Sequence, residues 1–342
     1  MKIILLRTWE TNIGNGFIDK GAKECVRRAQ PDAEIVETSG LVNKAVSQSG
    51  PGFFSRYIGE RLGRIGDHLF QYGTEYYQQD SRKDNTVHLS RLLDADLAVF
   101  PGCILDVHMD WYFDTLKRLS NRDIPILLLG AGGLSYDKRT VRNTRRNISK
   151  LKTAGFVSRD EKSYKRYSDL FDYAYNGIDC GFYISDWYDP PKANQNFIVA
   201  TFDKQKCPSF ESNKKVIQAH HGSLMTPFSG YLTNMLYITI QRYRRKQFGF
   251  FENENTFISD QLRDYLFLYK NSKEVHSDRV HACVPALAYG NDAKFYHDTV
   301  RGGLFDKVLE KDISLEEVSI DRNKLKKEKE SQSSFVREQI MK

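Results

Sequence analysis

Ile124-Pro125-Ile126-Leu127-Leu128-Leu129-Gly130-Ala131-Gly132-Gly133 is an apolar run that stops abruptly in glycines. With no polar alternation, it reads as a strand covered on both faces, and its glycines fall at the strand's carboxyl end, where open α/β sheets bind ligands. The run is far too short to span a bilayer. Similar runs at residues 3–6, 33–36, 96–100, 155–158 and 172–175 read as companion strands. Helical spacing separates them: Ile18, Ala22, Cys25, Val26 and Ala29 recur on one face, and further helices are expected at about 53–72, 105–119, 140–151 and 160–170. One doubly wound sheet accounts for this half.

The Pro-rich break at Trp187-Tyr188-Asp189-Pro190-Pro191-Lys192 marks a domain boundary. Strands at 197–201, 215–219, 273–276 and 294–297, with a helix at 279–289, then make a second and smaller α/β unit. The expected domains are 1–188, 189–320 and a charged tail at 321–342 that is helical or disordered, with little to bury.

The 342 residues, 40% of them hydrophobic, suffice for two cores and exclude a disordered chain or a small stapled scaffold. A net charge of +7 spread over that length is no nucleic-acid signature. Cys25, Cys103, Cys180, Cys207 and Cys283 are odd in number and widely spaced, so a reducing compartment and a cytoplasmic location are expected. The opening Met1-Lys2-Ile3-Ile4-Leu5-Leu6-Arg7 is too short for a signal segment and reads as the first strand.

Several strand ends carry residues suited to an anionic ligand. Asn12, Gly14 and Asn15, in Thr11-Asn12-Ile13-Gly14-Asn15-Gly16, join the first strand to the first helix, where free amides can hold an anion; a tight connection with no ligand fits equally. Gly130, Gly132 and Gly133 allow close approach of backbone to substrate, or else relieve crowding at a central strand end. Arg159 ends another strand and stays charged at any relevant pH, with Asp160 placed to cap the next helix. Asp179 follows a further short strand and can orient a sugar hydroxyl or stabilise a turn. In Val275-His276-Ser277-Asp278-Arg279-Val280-His281-Ala282, a helix start, a permanent cation and a group titrating near neutrality coincide. His281 is the candidate acid or base there, with His276 the weaker choice.

His220-His221 point to opposite faces, which argues against a metal pair, and no metal is assigned. His68, His88 and His108 lack partners at useful spacing and default to the surface. The basic cluster at 242–246, after an aromatic stretch at 231–238, reads either as a peripheral membrane contact or as a solvated helix end.

Taken in order, Asn12-Ile13-Gly14-Asn15, Gly130-Ala131-Gly132-Gly133, Ser158-Arg159-Asp160-Glu161-Lys162-Ser163 and Ser277-Asp278-Arg279-Val280-His281-Ala282 resemble the polysaccharide pyruvyl transferase family over roughly residues 2–308. The resemblance implies two Rossmann-like α/β domains in the glycosyltransferase B (GT-B) arrangement, with the active site between them. It further implies phosphoenolpyruvate as co-substrate with no resident cofactor, and a saccharide or lipid-linked glycan acceptor for exopolysaccharide synthesis. Arg159 and Arg279 would hold the donor's carboxylate and phosphate, and His281 would move the proton. Two positions depart from the family pattern. Asn15 stands where the glycine loop usually ends in Asp, and Tyr296-His297-Asp298-Thr299-Val300 lacks a usual lysine, for which Arg301 or Lys294 is a possible substitute. A nucleotide-sugar glycosyltransferase on the same architecture and a non-catalytic glycan-binding relative are the alternatives.

Overall fold

Ile126, Leu127, Leu128 and Leu129 are all fully buried, and successive side chains enter opposite cores. Ile126 and Leu128 join one apolar cluster, Leu127 and Leu129 the other, as the two-residue repeat of a central strand requires. The computed structural model of the protein describes residues 1–8, 12–40, 87–194, 196–202, 205–210, 214–221 and 254–342. The helix expected at 53–72, His68, the aromatic stretch at 231–238 and the basic cluster at 242–246 lie outside the described residues.

The first half runs β1 (Lys2–Arg7), α1 (Ile13–Ala29), β2 (Glu34–Ser39), β3 (Leu97–Cys103), α2 (Val107–Asn121), β4 (Ile126–Gly132), α3 (Lys138–Ile148), β5 (Thr153–Ser158), α4 (Glu161–Tyr167), β6 (Ala174–Asn176) and α5 (Ile184–Trp187). Its strands form one parallel sheet, ordered β2-β1-β3-β4-β5-β6. The second half runs β7 (Phe197–Thr201), β8 (Lys215–Ala219), β9 (Thr256–Phe257), α6 (Leu262–Asn271), β10 (Glu274–Ser277), α7 (Val280–Tyr289) and β11 (Asp292–Phe295). A second parallel sheet results, ordered β11-β10-β7-β8-β9. Two Rossmann-like halves therefore make up the GT-B type of architecture. The strand order reverses between β1 and β3 in one sheet and between β7 and β10 in the other, and such crevices at strand carboxyl ends are where ligands settle.

The halves share apolar contacts. One cluster of buried side chains runs from β1 and α1 through Phe182, Tyr183 and Ile184 to α6 and α7. One helix start and one helix end border this seam. Asn12 caps α1 by accepting from Gly14 N at 3.0 Å, and Gly290, at φ +84°, ends α7 in the left-handed conformation that favours glycine.

The chain then returns to the first half. The segment expected to have little to bury is α8 (Arg322–Ile340), packed against α1 and β5. It buries Leu325, Val336 and Ile340, but also Lys329, Gln332 and Ser333. The polar members are satisfied: Gln332 Oε1 accepts from Ile178 N at 2.7 Å, and Lys329 Nζ reaches Asp186 at 3.2 Å. Val336→Ala removes two methyl groups from a fully buried position, so an unfolding free energy lower by about 2 kcal/mol is expected in denaturant titration. An unchanged midpoint would mean that α8 is not part of the cooperative unit.

Candidate active site

β5 ends at Ser158, so Arg159 leaves the sheet at its carboxyl end, while Asp160 caps α4 by accepting from Ser163 N at 2.7 Å. The guanidinium of Arg159 is buried, with the residue only 1% exposed. Its Nη1 donates to Asp179 Oδ2 at 3.3 Å. Asp179, beyond β6, is fully buried, and its other oxygen accepts from Gly181 N at 2.8 Å. The same Oδ2 lies 3.3 Å from His281 Nε2, which arrives from the second half on the first turn of α7. Arg159 and His281, on different sheets, thus meet on one carboxylate.

Arg301 completes the arrangement, with its Nη2 3.2 Å from His281 Nδ1. A guanidinium can only donate, so Nδ1 accepts and the neutral imidazole carries its proton on Nε2, toward Asp179. Burial pushes the His281 pKa down and Asp179 pulls it up, but with Arg301 and Arg159 also opposing a second positive charge the net shift is downward. Asp179 shows the reverse balance. Burial alone would raise its pKa, yet His281 and Arg159 hold the carboxyl well below the usual range. The result is an ionised carboxylate orienting a neutral imidazole, the state in which a histidine accepts a proton.

Polar capacity is left over. Arg159 Nε and Nη2 and Arg301 Nε are buried without hydrogen-bond partners among the described residues, and Arg159 Nε is 3.8 Å from Asp160 Oδ2, too far for such a bond. Leaving guanidinium N–H groups dry and unpaired is costly, so an anion bound beside them would recover that cost. Asn12, His221, Arg279, His281, Thr299 and Arg301 line a small pocket where the two halves meet. Cys103, at the end of β3, lies near both Arg159 and Arg301, and burial pushes its thiol pKa up.

The glycines serve the protein's own side chains. A Cβ on Gly132 would lie 2.3 Å from Arg159 Nε, and one on Gly14 would lie 2.9 Å from His281 Cβ. Gly130 has φ +57° and packs against Cys180, while Gly133 passes close to the Leu105 carbonyl. Asn15 turns inward weakly, its Nδ2 at 3.5 Å from the Thr8 carbonyl. The nearby carboxylate is Asp19, fully buried one turn along α1, which accepts from Thr8 N and Oγ1 at 3.1 and 3.0 Å. Sequence spacing did not single out Asp19, because a lone Asp inside a helix carries no pattern.

Other histidines are accounted for differently. His276 Nδ1 pairs with Tyr296 OH at 2.9 Å and does not line the pocket. His221 is fully buried, touches Tyr269 OH and lines the pocket, whereas His220 gives its carbonyl to Tyr265 OH at 2.5 Å. His88 and His108 correct the surface default. His88 is 6% exposed and caps a short 3-10 turn, and His108 Nδ1 lies 2.5 Å from Asp106 Oδ1, because each lies beside a local polar partner. Lys294 stacks over Tyr296 at 5.3 Å, so of the two proposed substitutes for the missing lysine only Arg301 reaches His281. Among the described residues one group of side chains could hold a cation: Glu274, His276 and Glu317 bring ligand atoms within 4.8 Å of one another outside the pocket, with Lys214 Nζ already 3.8 Å from Glu274.

No protein of curated function matches the chain in sequence. Among solved structures it is similar to S. aureus MnaA crystallised with UDP, at 10% identity and TM-score 0.46 over 98% of this chain and 90% of that one. It is also similar to the UDP-GlcNAc 2-epimerase of Neisseria meningitidis bound to UDP-GlcNAc, at 12% identity and TM-score 0.44 over 90% and 86% of the two chains. The Methanocaldococcus jannaschii UDP-GlcNAc 2-epimerase matches at 11% identity and TM-score 0.46 over 97% and 93%. A family model described as polysaccharide pyruvyl transferase matches residues 12–290, a span that takes in Asn12, Arg159, Asp179, Arg279 and His281. On that match over most of its length, the chain belongs to the polysaccharide pyruvyl transferase family.

Proposed function

We propose that the protein moves a pyruvyl group from phosphoenolpyruvate to a pair of hydroxyls on a saccharide, a precursor of a cell-surface glycan. The observation that carries this reading is the set of buried, unpartnered N–H groups on Arg159 and Arg301 beside a neutral His281. An enol phosphate with a carboxylate presents two anionic groups on three carbons. Arg279 and Arg301 at the pocket wall, and the buried Arg159 tied to Asp179 outside that wall, supply guanidinium forks for both.

Two acceptor hydroxyls form two C–O bonds to C2 of the enol phosphate, and the C2–O bond to phosphate breaks. Of the two hydroxyl protons released, one ends on C3, which becomes a methyl group, and the other leaves with phosphate. His281 is the group that takes the hydroxyl proton. Its Nδ1 lone pair faces Arg301, so an anion that draws the Arg301 guanidinium to itself frees that lone pair for the acceptor. Asp179 holds the imidazole from Nε2 throughout.

Phosphate release from phosphoenolpyruvate in the presence of candidate glycans tests the reading. Acceptor-dependent release supports it. Turnover of nucleotide sugars with none of phosphoenolpyruvate would replace it with a glycosyltransferase, and neither activity would favour a glycan-binding relative.

The pH dependence follows from the depressed pKa of His281. Only the neutral imidazole accepts a proton, so the acid limb of kcat/KM is expected below the ordinary histidine value of ~6.5. Arg301→Gln removes a cation that disfavours the imidazolium, so the limb should move to higher pH. A limb that stays put in this variant would separate the titrating group from Arg301.

A further inference from the structure

The chain's positive charge is not spread evenly. Between residues 138 and 152 there are seven Lys and Arg and no Asp or Glu, which equals the whole chain's net +7, so the remainder is neutral overall. The seven lie on α3 and the turn after it. Two are used locally: Arg145 Nη2 pairs with Asp169 at 2.6 Å, and Lys152 Nζ with Asp123 at 3.2 Å. Lys138, Arg139, Arg142, Arg146 and Lys150 are exposed and make no ion pair among the described residues.

Their spacing puts them in register. Lys138, Arg142 and Arg146 are four residues apart along α3, and Lys150 continues the same step beyond its end, so they form one stripe roughly 18 Å long. The opposite side of α3 is anchored, with Thr144, Asn147 and Ile148 buried. At its start, Leu134 is 44% exposed. Tyr136, two residues before the helix, donates to Asp160 at 3.2 Å, and Asp160 is the neighbour of Arg159. The stripe therefore begins beside the candidate active site.

We propose that this face of α3 docks the protein on an anionic bilayer, with the five cations against headgroup phosphates and Leu134 entering the interface. A row of cations that winds about a third of the way around an anchored helix, free of ion pairs among the described residues and with Lys150 over the Phe113 ring at 6.0 Å, matches a diffuse negative surface. The absence of any aromatic residue between 138 and 152 leaves no platform for stacking the bases of a single-stranded nucleic acid. This surface is independent of the pyruvyl-transfer reading, since it uses none of the residues assigned to that chemistry.

The test uses the full chain and sedimentation with vesicles of phosphatidylcholine, with or without about one-third phosphatidylglycerol. Binding to the anionic vesicles alone, released at high salt, is expected, since each cation near such a surface contributes about 1 kcal/mol, or about fivefold in partition. A variant carrying Lys138→Gln, Arg142→Gln, Arg146→Gln and Lys150→Gln should bind at least about tenfold more weakly, with its thermal midpoint unchanged because glutamine suits an exposed helix. A second variant with the same charge change elsewhere, Lys165→Gln, Lys311→Gln, Lys326→Gln and Lys327→Gln, should bind as the parent does. Failure to bind anionic vesicles, equal losses in the two variants, or retention by a DNA duplex with no vesicle binding would each overturn the proposal.

Discussion

His281→Ala should lower acceptor-dependent phosphate release by about 10²–10⁴-fold, the range that removal of a positioned proton acceptor produces. The loss should fall in kcat more than in KM, because Arg159, Arg279 and Arg301 remain to bind the donor. His276→Ala provides the contrast. That histidine is also buried and also hydrogen-bonded, but its partners are Tyr296 and Glu317 rather than Asp179 and Arg301, so its removal should cost stability and leave kcat within a few-fold. Equal losses in the two variants would show that the effect is structural. A further distinction comes from Asp179→Asn. The substitution keeps the shape but removes the charge to which Arg159 and His281 both attach, so turnover should fall and unfolding should become easier.

Gly132→Ala has the second largest expected effect, and it acts through packing. The added methyl would stand 2.3 Å from Arg159 Nε and 3.0 Å from its Cγ and Cδ. An exposed arginine would swing aside, but this one is 1% exposed and tied to Asp179 by Nη1, so the clash cannot be relieved cheaply. Overpacking of this kind costs about 1–3 kcal/mol in stability, readable as a fall in the denaturation midpoint. Activity should drop by roughly 100-fold as the guanidinium leaves its place. If the variant melts lower yet binds phosphoenolpyruvate normally, Arg159 is not a donor contact.

How much of this was legible in the sequence depends on whether a residue's role is local. Strand β4 announces itself because both of its faces are apolar, and β7 and β8 fall where the sequence places them, at Phe197–Thr201 and Lys215–Ala219. Arg159, Asp179 and His281 could each be proposed from their place at a strand end, since chain direction in a parallel sheet fixes which ends gather. That all three share one oxygen is a tertiary fact with no trace in spacing. Helix α6 was not expected although Leu262, Tyr265, Leu266 and Tyr269 keep helical period, because its start carries no cap signal: Gln261 makes no side-chain capping bond. Helix α8 misleads for another reason. Its inward stripe includes Lys329, Gln332 and Ser333, whose burial depends on partners such as the Ile178 amide and Asp186 far away in the chain. The glycine motifs mislead similarly: Gly14 and Gly132 look like anion loops, but each makes room for a side chain of the site itself.

Calorimetric titration of phosphoenolpyruvate into the parent protein and into Arg159→Lys tests the central claim most directly. Lysine keeps the charge at that position but loses the planar fork, so the account predicts saturable binding to the parent and at least about tenfold weaker binding to the variant. Binding of equal strength in both proteins, or none in the parent, would contradict it.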